Sequence, residues 1–209
     1  MTKRIGFACK YLHHNQRQPK KLLEELQRPL TERATTVAWL NRQSKDVAEE
    51  RMWDIMVHNA AAAKRLVEYV GSLPTELRMV RLGSNQLPCA TEPTWRYFWN
   101  RPDVLAYCEK HYAQVGETAR ALDVRLSMHP GQFCVLASDN DEIVERSIEE
   151  FEYHANLIRW MGYGRRFQDF KCNVHISGKK GTAGIKDVLK RLSPEARNTI
   201  TIENDENKW

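Results

Sequence analysis

No stretch of about 18 consecutive apolar residues, the length a helix needs to cross a bilayer, occurs anywhere in this sequence. The opening residues, MTKRIGFACKYLHHNQ, hold no apolar run of leader length either, so membrane insertion and secretion are not expected. Cysteine is scarce: the five (Cys9, Cys89, Cys108, Cys134 and Cys172) are an odd number without a CxxC pair. That argues against a disulfide framework and against a zinc knuckle, and it fits a reducing cytosol. With 10 Gly and 8 Pro in 209 residues there is no collagen-like or low-complexity tract, and no short period that would build a solenoid. Neither GxGxxG after the first β segment nor the Walker spacing GxxxxGK[ST] occurs, so no nucleotide cofactor is expected by those routes.

What is present is an ordinary globular composition, 42% hydrophobic and 28% charged, in a chain long enough to bury a core. The excess of 32 Lys and Arg over 27 Asp and Glu is modest, permitting a polyanionic partner without requiring one. Its distribution is uneven. Residues 139–152 carry seven acids against Arg146, whereas residues 163–191 carry eight bases against Asp169 and Asp187, which suggests a basic half-surface.

Short β-rich segments at residues 3–8, 77–82, 124–128, 171–176 and 199–202 alternate with helical patterns. Val104, Cys108, Val115, Ala119 and Leu122 form one apolar stripe, and Val144, Ile148, Phe151, Ala155, Ile158 and Gly162 form another. Asn100, followed by Pro102, is a candidate cap for the first of these helices; Asp139 or Asn140 is the candidate for the second. A further helix is expected around Lys20–Gln27, within the roughly 70 residues that separate the first two strands.

Alternating strands and helices make a doubly wound sheet or a barrel, and the missing glycine fingerprint favours the barrel. The expected fold class is therefore α/β, a TIM-type (β/α) barrel formed as a single domain over residues 1–209. Only five strands are legible, against the eight that close such a barrel, so the reading is of the first five βα units with the C-terminal part missing. Five parallel strands leave an open edge, through which self-association is one expectation.

In such barrels chemistry gathers where strands end. Those ends carry Cys9 and Lys10, Ser84 and Asn85, His129, His175, and Glu203, Asn204 and Asp205. Each has a plain structural reading beside the functional one. His129 precedes an ordinary Pro130-Gly131 turn, and the acids after Ile202 could be a solvated loop. The loop Gly178-Lys179-Lys180-Gly181 is either a simple turn or a phosphate cradle built from backbone N–H groups and two cations. Two imidazoles and one carboxylate at a single barrel mouth are nevertheless a set that Zn²⁺, Mn²⁺ or Fe²⁺ accepts. Glu92, on the loop after the second strand, is a candidate fourth ligand or a surface acid. His13, His14, His58, His111 and His154 read as exposed or helix-packing residues, not ligands.

The ordered segments RIGFACK, MVRLGSNQLP, LSMHPGQF, NVHISGKKG and TIENDE resemble the UV damage endonuclease family, relatives of endonuclease IV and xylose isomerase-type barrels. The resemblance covers essentially the whole chain. It implies an eight-stranded βα barrel with divalent metals at its mouth, often Mn²⁺, with Zn²⁺ or Mg²⁺ as alternatives. The implied reaction is a cut in damaged double-stranded DNA immediately 5′ to UV photoproducts, made in the cytoplasm at the nucleoid. By motif, His129, His175 and Glu203 resemble metal ligands and catalytic residues, and Gln132 and Phe133 the pair that wedges into the damaged duplex. Lys10, Lys179 and Lys180 become candidate phosphate contacts. Two departures matter: Glu92 stands where the family commonly brings a His, and the family's further βα units with their additional ligands lie beyond Trp209. The expectation is a chain with little activity. A sugar isomerase of the same barrel type and a non-catalytic DNA-binding fragment are the competing readings; the two lysines and the wedge favour a polyanion over a neutral sugar.

Overall fold

The computed structural model describes residues 3–131, 133–175 and 177–203, and the chain divides into two compact units, residues 1–126 and 127–209. In the first unit β1 (Phe7–Ala8) lies parallel to β2 (Met79–Arg81), with Phe7 opposite Val80 and Ala8 opposite Arg81. The strand is shorter than the β-rich segment at residues 3–8 suggested. A Cβ on Gly6 would lie 2.0 Å from the Met79 carbonyl oxygen, so only glycine permits the close backbone approach that precedes the ladder.

Between these strands run α1 (Lys20–Gln27), α2 (Val37–Leu40) and the long α3 (Lys45–Gly71). Helix α1 forms where expected. Ser44 caps α3 by accepting from the Val47 N–H, and its buried face includes Met52, Ile55, Met56, Leu66 and Val70. After β2 come α4 (Arg96–Trp99) and α5 (Pro102–Ala121), and α5 packs against α3. Asn100 does not cap α5. It ends α4, its side-chain amide donating to the Arg96 carbonyl, and Arg101 takes the N-cap position without a side-chain bond. Pro102 explains why that is tolerated, since the first helical residue has no N–H to satisfy.

The loop after β2 is held by buried polar groups. The Asn59 amide donates to the Arg33, Asn85 and Gln86 carbonyls, and its oxygen accepts from the Arg33 N–H. The Glu32 carboxylate accepts from the Gln86 side chain at 2.8 Å and from the Asn85 N–H at 3.3 Å, and burial pushes its pKa up.

Strand β3 (Arg125–Met128) begins in the first unit, where the Arg125 N–H donates to the Arg78 carbonyl. In the second unit its residues Ser127 and Met128 pair in parallel with Lys171 and Cys172 of β4 (Lys171–His175). Strand β5 (Ile200–Glu203) pairs with β4 in turn, placing Asn173 opposite Thr201 and His175 opposite Glu203. The connections are α6 (Asp141–Trp160), α7 (Gly181–Leu189) and α8 (Pro194–Thr199). Asn140, one of the two cap candidates in the sequence, caps α6 through the Glu142 and Ile143 N–H groups. The α6 stripe buries Val144, Phe151, Ala155 and Ile158, with Ser147 and His154 on the same face.

On β4, Cys172 and Val174 are buried, whereas Lys171, Asn173 and His175 alternate to the other face, the pattern expected of a strand covered by helices on one side. The five cysteines are free thiols, and burial pushes Cys108 and Cys134 up to about 12. Among the described residues no helix is long and apolar enough to cross a membrane.

Candidate metal centre

Each of the three residues singled out at strand ends stands at the carboxyl end of its own strand in the second unit. His129 follows Met128 directly, His175 is the last residue of β4, and Glu203 is the last of β5. Because side chains alternate along a strand, Asn173 and His175 share a face of β4, as do Thr201 and Glu203 on β5. The structure brings the ligand atoms of His129, His175 and Glu203 within 4.8 Å of one another, and all three residues are half-buried. Among the described residues this is the only set of three or more His, Cys, Asp or Glu side chains close enough to hold a metal ion.

The imidazoles of His129 and His175 meet edge to face, ring centroids 4.6 Å apart. His129 Nδ1 lies 2.5 Å from the Pro130 carbonyl oxygen and Nε2 lies 3.4 Å from Glu203 Oε2. A carbonyl can only accept, so Nδ1 carries a proton, and Nε2 is the nitrogen that faces the carboxylate. A cation bound at Nε2 requires the proton on Nδ1, and this backbone contact is of the kind that orients ligating histidines. On the other side of the carboxylate, the Asn173 amide donates to Glu203 Oε1 at 2.8 Å, and the Thr201 hydroxyl donates to Asn173 Oδ1. Asn173 and Thr201 were not singled out from sequence. The signal that finds them is the strand period of two, which puts each on the face of a ligand two residues further along.

His154 lies on α6 and is completely buried, not at a surface. Its Nδ1 lies 2.8 Å from the Glu150 carbonyl, and its Nε2 is buried without a hydrogen-bond partner. Burial, reinforced by repulsion from His129, pushes its pKa down to about 4, so it is neutral at pH 7. The remaining histidines are engaged in the first unit: His58 Nε2 lies 3.0 Å from the Thr31 carbonyl, His111 stacks on Tyr107, and His13 and His14 lie against each other.

The other candidates distribute as follows. Phe133, on the loop after β3, is 83% exposed. Gln132 lies outside the described residues, as do Asn204 and Asp205. Lys179 and Lys180 are ion-paired, Nζ of Lys179 with Asp139 at 2.8 Å and Nζ of Lys180 with Asp141 at 2.9 Å. Arg191 likewise meets Glu145, so part of the basic run is matched by the acidic one. The glycine-lysine loop uses backbone donors internally: the Lys180 N–H goes to the Ala137 carbonyl and the Gly181 N–H to the Gly178 carbonyl. Those two amides therefore do not form a free phosphate cradle. In the first unit Lys10 is exposed, just after β1. Glu92 caps a turn, its carboxylate accepting from the Thr94 N–H, the Thr94 hydroxyl and the Trp95 N–H.

Parallel strands joined by helices, with three metal-compatible side chains gathered at their carboxyl ends, are the arrangement of a partial α/β barrel of the TIM type, and a solved structure carries the same fold. The crystal structure of SacUVDE superposes with a TM-score of 0.74 at 23% identity, covering 98% of this chain and 62% of that one. Residues 4–209 match the model of the family described as UV-endonuclease UvdE, and the chain belongs to that family. Among its relatives, the UV DNA damage endonuclease of Bacillus cereus (strain Q1) is 24% identical over 179 residues, 83% of this chain and 53% of that protein. The UV-damage endonuclease of Neurospora crassa is 30% identical over 139 residues, 64% of this chain and 20% of that protein. The chain spans about half the length of the Bacillus relatives it matches.

Proposed function

We propose that this chain carries part of the active centre of a metal-dependent DNA repair endonuclease, which cuts the phosphodiester backbone 5′ to UV photoproducts in double-stranded DNA. The observation that carries the reading is the gathering of His129 Nε2, an imidazole of His175 and the Glu203 carboxylate around one point. Two neutral nitrogens and one anionic oxygen suit Mn²⁺, with Zn²⁺ and Mg²⁺ as the alternatives the assay distinguishes. Three protein donors leave coordination positions open, which is the arrangement of catalytic and not of structural sites. A divalent cation held there supplies Lewis-acid charge to a phosphodiester.

The chain's own groups then do the remaining work. His129 and His175 act as neutral donors, Glu203 offsets part of the cation's charge, and Lys179 and Lys180 exchange exposed aspartate partners for phosphates. Such exchange is cheap because exposed ion pairs are weak. Lys10 is a further phosphate contact in this reading. An exposed Phe133 supports the wedge role, since a large apolar ring in water gains by entering a disrupted base stack, and Gln132 is its proposed companion. Glu92 serves its turn, and the cation rests on the other three. The polyanion-binding groups favour this reading over a sugar isomerase.

The test is incision of an end-labelled, UV-irradiated duplex by excess protein in Mn²⁺, run beside the unirradiated duplex. Cutting immediately 5′ to the lesion, removed by chelator and by His129→Ala, is the expected outcome, at low yield. Damaged-DNA binding with no cutting under any of the three metals would move the protein to the class of non-catalytic binding modules. A ketose bound in preference to damaged DNA would overturn the reading altogether.

A further inference from the structure

Beside the candidate ligands lies a polar relay that none of the preceding roles requires. Strand register places Asn173 directly opposite Thr201, and Met128 opposite Cys172, so His129 stands one step on, level with Asn173. The relay runs across the sheet: the Thr201 hydroxyl meets Asn173 Oδ1, and Asn173 Nδ2 meets Glu203 Oε1 at 2.8 Å. Its direction follows from chemistry. A carboxylate only accepts, so the amide must turn its NH₂ toward Glu203, which leaves its oxygen to accept from the Thr201 hydroxyl. A β-branched threonine has few rotamers, so Thr201 presents that hydroxyl at a nearly fixed place.

From this geometry we infer that Asn173, itself oriented by Thr201, is a positioning residue for the metal centre: it ties up one oxygen of Glu203 and leaves Oε2 facing His129 Nε2. A carboxylate free to rotate would spend much of its time with neither oxygen in that direction. Pinning one oxygen lowers the ordering cost of ligation and defines a one-oxygen contact. The polar partners of ligating groups commonly set metal affinity by 10- to 100-fold, about the range expected here. The inference rests on the reading of His129, His175 and Glu203 as a cation site.

The experiment is a Mn²⁺ titration of the unaltered chain, followed by calorimetry and by the electron paramagnetic resonance of free Mn²⁺, with urea unfolding as the control. Asn173→Ala is expected to weaken binding by about 10-fold or more. Thr201→Val, which keeps the shape and β-branching but removes the donor, is expected to weaken it several-fold with the unfolding midpoint little changed. Thr201→Ser, which keeps the hydroxyl donor, should leave the affinity within about twofold of the unaltered chain. Affinities unchanged in both Asn173→Ala and Thr201→Val overturn the positioning role and leave the site reading standing. No stoichiometric uptake by the unaltered chain overturns both.

Discussion

His129 Nε2 lies 3.4 Å from Glu203 Oε2, although the two residues belong to strand ends separated by the whole of β4. Strands two places apart in a sheet stand ~10 Å from each other. Side chains that meet across that gap must rise from the same face and lean together over the intervening strand, where His175 completes the set. Removing any one of the three should therefore abolish stoichiometric cation binding. His129→Ala and Glu203→Gln are expected to weaken Mn²⁺ uptake by more than about 100-fold, since a lost ligand costs more than a lost ligand partner. Calorimetric titration checks this, and uptake that survives both substitutions places the cation elsewhere.

Lys179 and Lys180 are predicted to contribute to DNA affinity through phosphate charge. Each phosphate contact contributes about 0.9 to the slope of log affinity against log salt, so the double Lys→Gln variant should flatten that slope by just under 2. Asp139→Asn and Asp141→Asn remove the anions that now occupy these lysines and should tighten binding, most visibly at low salt. Fluorescence anisotropy at several salt concentrations reads both effects. A slope unmoved by the lysine substitutions removes the pair from the interface.

Phe133→Ala should reduce preference for irradiated over unirradiated duplex by about tenfold while changing total affinity for intact duplex little. A ring stacked on bases contributes about 1–3 kcal/mol, and only a disrupted stack admits it. Competition binding between the two duplexes is the measurement. Equal loss on both would make Phe133 a general contact, not a lesion probe.

The buried His154 makes stability depend on pH. The unfolded chain takes up its proton near pH 6.5 and the folded chain only near pH 4, because burial disfavours the imidazolium. Between those values the unfolded state binds more protons, so stability falls as pH drops from 6.5 to 4 and is fully present above 6.5. The loss attributable to this group is about 3 kcal/mol at most. Urea unfolding across that window should show a shallower decline in His154→Leu than in the unaltered chain. Parallel declines would mean that the ring is hydrated in the native state.

Gly178 is predicted to tolerate no side chain. Its φ is +116°, and an added Cβ would sit 2.3 Å from the Ala137 carbonyl carbon and oxygen. Gly178→Ala must therefore shift backbone against backbone, at a cost of at least about 2 kcal/mol. A urea midpoint unchanged by this substitution would show that the loop does not dock on Ala137 in solution.

Much of the site was legible before any fold was known, because a strand that ends in His or Glu advertises its chemistry locally. His129, His175 and Glu203 could each be placed at a strand end, and the cap of α6 could be narrowed to Asp139 or Asn140 from the acids that follow. The errors have equally local causes. Asn100 was assigned to the helix after it, although the short helix before it claims its side chain. That the lysines of the glycine loop pair with aspartates some 40 residues earlier in the chain is a long-range fact that no local pattern announces.

The sequence by itself determined where strands and helices alternate and which strand ends carry metal-compatible groups, since periodicity and residue type act over a few neighbouring positions. Tertiary structure alone decided that the three ligand atoms converge, that Asn173 and Thr201 brace one of them, and that His154 is stripped of water. Those outcomes depend on strand register and on burial, which arise from segments brought together across tens of residues; the period of two marks a shared face but not which side chains meet on it.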